Sequence, residues 1–181
     1  HRLMRFEETR LPGAFLIDLE RLDDDRGFFA RTWCAREFAE RGLKPSLAQC
    51  SLSFNRRRGT LRGMHYQADP FAEAKLMRCT RGTIYDVAID LRPDSPTRFQ
   101  WLALELSAAG GRMLYVPEGF AHGFQTLADN AEVFYQISDF YHAESGRGIR
   151  WNDPFFNIAW PLPDPILSPR AQSFADFDPA A

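Results

Sequence analysis

At 181 residues the chain is long enough for one domain with a substantial core and short for two. Its 22 basic and 24 acidic residues leave a formal net charge of −2, which excludes the overall positive field that would hold nucleic acid or an anionic membrane. Cys34, Cys50 and Cys79 form neither a disulfide framework nor a C-x-x-C motif, and no apolar run reaches the roughly 18 residues of a membrane-spanning helix. A cytoplasmic protein is expected.

The start, His1-Arg2-Leu3-Met4, lacks the apolar core of a signal peptide; Met4 reads as the natural start and residues 1–5 as an added or loosely ordered beginning. Short apolar runs follow at 14–19, 28–33, 47–54, 61–66, 76–79, 83–91, 99–106, 113–116, 123–127 and 133–138. Between them stand turn signals such as Asp25-Arg26-Gly27, Pro93-Asp94-Ser95-Pro96 and Pro117-Glu118-Gly119. Within 85–91, Tyr85, Val87, Ile89 and Leu91 share one face of a strand and Asp86 and Asp90 the other; Val133, Tyr135 and Ile137 share a face of the last strand. One short helix is predicted over 34–41, with Gly42 as its stop. Beyond Trp151 the Asp-Pro and Trp-Pro-Leu-Pro breaks end regular structure, and residues 152–181 read as a wrapping tail. Short strands with one brief helix predict an all-β fold, a single sandwich or barrel domain over 1–181.

Two histidines stand beside glycines in polar settings. His65 lies in Leu61-Arg62-Gly63-Met64-His65-Tyr66-Gln67, where alternation predicts Leu61, Gly63, His65 and Gln67 on one face, with Gly63 leaving room for a close approach. His122 lies in a turn leading into a strand, and either a structural imidazole or a ligand contact fits it. No H-x-H or H-x-x-x-H pair suggests a metal site. Arg62 and Lys75 suit a phosphate as well as they suit solvent, and the Arg56-Arg57-Arg58 run is a solvated turn or a local anion site. A buried Tyr135 needs a partner for its hydroxyl, in a core role or as a proton donor.

Taken in order, residues 25–29, 59–67, 73–76, 117–124 and 148–154 resemble the dTDP-4-dehydrorhamnose 3,5-epimerase family over about 6–170. The resemblance implies a metal-free, cofactor-free cupin-type jelly roll, usually a homodimer, acting on a nucleotide-linked 4-keto-6-deoxy sugar in deoxysugar biosynthesis. It implies His65 as base, Tyr135 as acid and Lys75 as the cation on the enolate oxygen. It also implies that Arg26 and Phe29 reach a nucleotide, across the dimer in one arrangement, that Gln49, Arg62, His122 and Arg170 lie near phosphates or sugar, and that Tyr141 stacks on the base. Four positions depart from the family pattern: Arg31 and Gly146 stand where glutamates are common, Ser51 (a substrate-binding position) where an asparagine is, and Ala171 where an aspartate orients the catalytic histidine. Asp86, Asp176 and Asp178 are the candidate replacements for that carboxylate. Two alternatives stay open, a sugar-nucleotide binding protein without turnover and a metal-dependent cupin enzyme.

Overall fold

The computed structural model describes residues 3–180. Its elements run β1 (Met4–Glu8), β2 (Phe15–Leu19), β3 (Leu22–Asp24), β4 (Gly27–Phe29), α1 (Ala35–Glu40), β5 (Gln49–Asn55), β6 (Leu61–Gln67), β7 (Lys75–Arg81), β8 (Thr83–Asp90), β9 (Trp101–Ser107), β10 (Arg112–Val116), β11 (Phe120–Thr126), β12 (Ala131–Ile137), β13 (Gly146–Gly148) and α2 (Pro169–Gln172). A six-stranded sheet, ordered β1-β2-β10-β7-β12-β5, faces a five-stranded sheet, ordered β13-β6-β11-β8-β9, and β3 and β4 form a separate hairpin. All the strand pairings are antiparallel. This is the expected all-β, cupin-like jelly roll. No helix among the described residues is long and apolar enough to cross a membrane.

Three apolar layers hold the sheets. Met77, Leu114 and Val133 from the larger sheet meet Ile84, Leu106, Phe120 and Phe124 from the smaller one between the two. Outside the larger sheet, Ile17, Met113 and Tyr115 are capped by Phe38 of α1. Outside the smaller sheet, Met64, Val87, Ile89 and Ala121 are covered by Ile149, just after β13, and by Phe156 and Ile158 of the tail, with Trp160 and Phe177 packed against them. Fully burying each such large side chain contributes about 1.5–3 kcal/mol, so the tail is part of the fold. Its cover also explains β8. Tyr85, Val87 and Ile89 face the tail, which leaves Ile84, Asp86 and Ala88 to point between the sheets.

Met4 is buried and, with Arg5, belongs to β1, so the expected loose beginning does not extend to them; residues 1 and 2 lie outside the described residues. The strand expected over 28–33 shrinks to β4, because its ladder with β3 ends at the Leu22–Phe29 pair and the chain then goes on to α1. The helix runs six residues, with Cys34 and Arg41 as caps. Gly42 follows with φ +72°, the left-handed conformation that stops a helix.

Candidate active site

The two sheets part at one end around a cavity of about 670 Å³, within the range typical of small-molecule sites. One wall carries His65 from β6 and His122 from β11; the other carries Lys75 from β7 and Tyr135 from β12. Adjacent strands bring these side chains together: His65 pairs with His122 in the β6–β11 ladder, and Ile137, two residues beyond Tyr135 on the same face, pairs with Lys75. The third side is the returning tail. Thr60 bridges to Ile166, and Leu61 N–H donates to the Ile166 carbonyl at 3.0 Å, which lays Ser168, Arg170 and Ala171 along the cavity.

The β6 register differs from simple alternation. Arg62 and His65, three residues apart, pair with Phe124 and His122, which are two apart, so the ladder shifts between them. Arg62 therefore joins His65 at the cavity, which Leu61, Gly63 and Gln67 of the expected grouping also line. Gly63 does allow a close approach, though what approaches is protein. A Cβ there would lie 2.6 Å from the Gly123 Cα and 2.7 Å from the His122 carbonyl oxygen, and Gly63 has φ +118°. A second glycine serves His65 directly. Gly148 pairs with it on β13, and the space a Gly148 Cβ would take is filled by the Phe174 ring, whose Cζ would be 2.0 Å away. Phe174 stands edge-on to the imidazole with ring centroids 6.1 Å apart.

The electrostatics of the two walls differ. Crowding by surrounding atoms, and then the positive charges of Lys75, Arg170, His122 and Arg62, push the His65 imidazole down from 6.5 to about 4. It is a neutral acceptor at physiological pH, and one edge still reaches solvent through the cavity mouth. His122 donates from Nε2 to Asp86 Oδ1 at 2.5 Å, and Asp86 is fully buried. Burial lowers Lys75 from the ordinary lysine value, while Glu73, whose Oε1 lies 3.5 Å from Nζ, and Asp86 act in the opposite direction. Among the described residues, no group of three or more His, Cys, Asp or Glu side chains is arranged to hold a metal ion.

Comparison with known proteins fits this geometry. Residues 8–178 match the family model described as dTDP-4-dehydrorhamnose 3,5-epimerase. The chain is 41% identical over 179 residues to the dTDP-4-dehydrorhamnose 3,5-epimerase of Shigella flexneri, covering 97% of this chain and 98% of that one. The chain belongs to the dTDP-4-dehydrorhamnose 3,5-epimerase family. It is accordingly an isomerase. The crystal structure of the Bacillus anthracis epimerase with TDP and PPi bound superposes with a TM-score of 0.93 at 40% identity, over 96% of this chain and 99% of that chain. The Legionella pneumophila epimerase, solved in complex with dTDP-4-keto-L-rhamnose, gives 0.88 at 35% identity over 94% and 91%.

Several residues that the epimerase resemblance singled out meet at the cavity: Arg62, His122, Tyr141 and Arg170 line it. Arg62 is aimed by its Nε donating to Asn55 Oδ1 at 2.7 Å. Gln49 acts one step back, its Oε1 accepting from the Tyr141 backbone N–H at 2.7 Å. Ser51 lies opposite Tyr135 in the β5–β12 ladder. Arg26 and Phe29 are not in this cavity. They sit at the exposed β3–β4 hairpin, Arg26 paired with Asp24 at 2.6 Å and Phe29 66% exposed.

The three other departures from the epimerase pattern have distinct settings. Arg31 lies outside the cavity and pairs with the buried Glu37 at 3.2 Å. Gly146 lines the cavity, 3.4 Å from the Arg170 guanidinium to where a Cβ would stand. Ala171 is buried against the cavity, its N–H accepted by Ser168 Oγ at 3.1 Å. None of the candidate replacement carboxylates bonds to His65: Asp86 holds His122, Asp176 holds Arg150 at 2.6 Å, and Asp178 accepts from Ala180 N–H. Sequence reasoning missed Phe174 and Glu73 as neighbours of His65 and Lys75. The Phe174 contact needs the tail's path, which no local pattern reveals; Glu73 stands two residues before Lys75, a spacing that in extended chain puts both on one face.

Proposed function

We propose that the cavity epimerises a nucleotide-linked 4-keto-6-deoxy sugar of the dTDP-4-dehydro-6-deoxyglucose type at C3, C5 or both, with His65 as base, Tyr135 as acid and Lys75 as the cation facing the enolate oxygen. The observation that carries this reading is the two-walled layout, with an uncharged imidazole on one wall and a lysine and a tyrosine hydroxyl on the other. The ketone acidifies the adjacent C–H bond. His65 takes that proton, the C–H electron pair moves into the carbonyl to give an enolate, and Lys75 offsets its negative charge. The Tyr135 hydroxyl returns a proton to the same carbon from the opposite side. Both side chains then exchange protons with solvent, so the reaction is redox-neutral. Arg62 and Arg170 suit the diphosphate as forked cations, His122 suits the sugar or phosphate edge, and Tyr141, 61% exposed at the mouth, suits a stacked base.

The same reading makes the protein a cytoplasmic homodimer. Leu22, Phe28 and Phe29 are exposed by 49, 55 and 66% on the β3–β4 hairpin, more apolar surface than a free hairpin needs. A two-fold dimer would bury it and bring Arg26 and Phe29 to the neighbouring cavity, with Gln49 and Ser51 on the adjoining edge strand β5. The free thiols of Cys34, Cys50 and Cys79 suit a reducing compartment.

The test is exchange of solvent deuterium into dTDP-4-dehydro-6-deoxyglucose, followed by NMR at C3 and C5 separately. Wild-type protein should exchange at one or both carbons, and His65→Ala at neither. Wild-type protein that binds the sugar nucleotide without exchange would overturn catalysis in favour of a binding protein. A rate that follows added divalent metal would favour the metal-dependent reading.

A further inference from the structure

We propose that Glu73 is a positioning residue that keeps the Lys75 ammonium charged and directed into the cavity. The inference rests on the reading of Lys75 as the enolate's cation and extends it to the group that sustains that charge. The Glu73 side chain is 6% exposed and that of Lys75 13%, with Oε1 and Nζ 3.5 Å apart. Their separation is set by the backbone: Ala74, between them, donates its N–H to Ser138 Oγ at 2.8 Å and accepts from Ser138 N–H at 3.0 Å. Burying an ionised carboxylate is costly unless it is paired. Glu73 Oε2 is buried with no hydrogen-bond partner, and Lys75 is the cation Glu73 pairs with. Burial raises Glu73 above the ordinary carboxylate range, and Lys75 is the first of the groups that oppose this, ahead of the backbone of Glu73 itself and the Gln67 side chain. Of these only Lys75 carries a charge, so the pair is the carboxylate's main electrostatic support and acts on Lys75 in return.

The groups around Lys75 give the direction of that effect. His65 on β6, His122 on β11 and Arg170 on α2 add neutral or positive groups, Tyr135 on β12 adds a hydroxyl, and β10 pairs Val116 with Lys75. Asp86 on β8 is the other carboxylate whose charge reaches Lys75, and one of its oxygens is taken by His122. Burial works against the ammonium and Glu73 works for it. Without the Glu73 charge, Lys75 should lose its proton at lower pH and leave the enolate oxygen without a cation.

The experiment uses full-length protein labelled with 13C at lysine Cε, titrated by NMR, with Lys75→Met assigning the Lys75 resonance. Glu73→Gln should lower the Lys75 midpoint by about 1–3 pH units, the usual effect of an adjacent opposite charge. The alkaline limb of the exchange rate should move down by a similar amount with KM little changed. Glu73→Asp, which keeps the charge, should restore most of both. In a Lys75→Met background, Glu73→Gln should cost no further rate, because the two act as a unit. An unchanged midpoint in Glu73→Gln, or additive losses in the double variant, would overturn the proposal; should Glu73→Gln not fold, rate losses of Glu73→Asp and Lys75→Met that simply add in their double variant would do so. The midpoint is read without substrate, so it decides the proposal even if wild-type protein shows no exchange and the function proposed above fails.

Discussion

Substituting Ala171 by aspartate places a carboxylate on the tail segment that lines the cavity beside Arg170 and His65. In the present protein His65 is held at about 4, and every nearby charge contributing to that value is positive. The drop from 6.5 corresponds to about 3.4 kcal/mol against the imidazolium at most, and to roughly half of that once screening at the solvent-open edge is allowed for. A carboxylate within about 4–6 Å raises a histidine by about 1–3 pH units. It should therefore bring His65 to between about 5 and 7, making it a stronger base while leaving it mostly deprotonated above neutrality. With Brønsted behaviour of intermediate slope, proton abstraction should speed up by about 3- to 30-fold across pH 7–9. Burying the new charge should cost about 1–3 kcal/mol of stability. The assays are the His65 titration followed by its ring-proton NMR signal and deuterium exchange into a 4-keto sugar nucleotide across pH 6–9. If the His65 midpoint rises and the exchange rate stays below wild type at every pH, the account of Ala171 as a missing orienting group is wrong.

Other perturbations probe the same scaffold. Because the folded His65 value lies below its unfolded value, the unfolded chain binds more protons between about pH 4 and 6.5, and stability should fall as pH drops through that window; His65→Asn should flatten this part of the curve by about 1–2 kcal/mol, read from urea midpoints. Gly63→Ala should destabilise by about 3 kcal/mol or more, because its Cβ meets the Gly123 and His122 backbone and its φ is +118°; a melting temperature within a degree or so of wild type would refute the close approach. Phe174→Ala should move the His65 midpoint up toward 6.5 by uncrowding the ring, and Gly148→Ala, by displacing Phe174, should do the same. An unchanged midpoint in both variants would show that Phe174 does not contribute to His65 burial. Tyr135→Phe should slow net inversion more than deuterium uptake, and equal losses would mean that Tyr135 only packs.

Much of the fold was legible because its periods are short and local. Residues 133–137 alternate as expected, and Val133, Tyr135 and Ile137 all face the cavity. The alternation of 85–91 was legible too, but not which face turns inward. The apolar face of Tyr85, Val87 and Ile89 meets the tail, while Asp86 points between the sheets. A strand buried on both faces gives no local sign of which face is which. The β6 heptapeptide was legible only in part for a related reason, since the register shift that puts Arg62 beside His65 is a property of the ladder with β11.

From the sequence alone follow the all-β class, the turns, the brief helix and the residue types of the site, because backbone conformation and side-chain alternation depend on neighbours a few residues away. The family followed as well, from motifs spread along the chain. Only the tertiary structure decided that His65 and His122 stand opposite Lys75 and Tyr135, that Asp86 serves His122, and that Phe174 crosses back from the tail to fill the space left by Gly148. The Asp86–His122 pair spans 36 positions and the contact of Phe174 with His65 spans 109. Their energies depend on distance, burial and the sum of surrounding charges, quantities that a linear sequence does not contain until strands from both sheets and the returning tail have packed around one cavity.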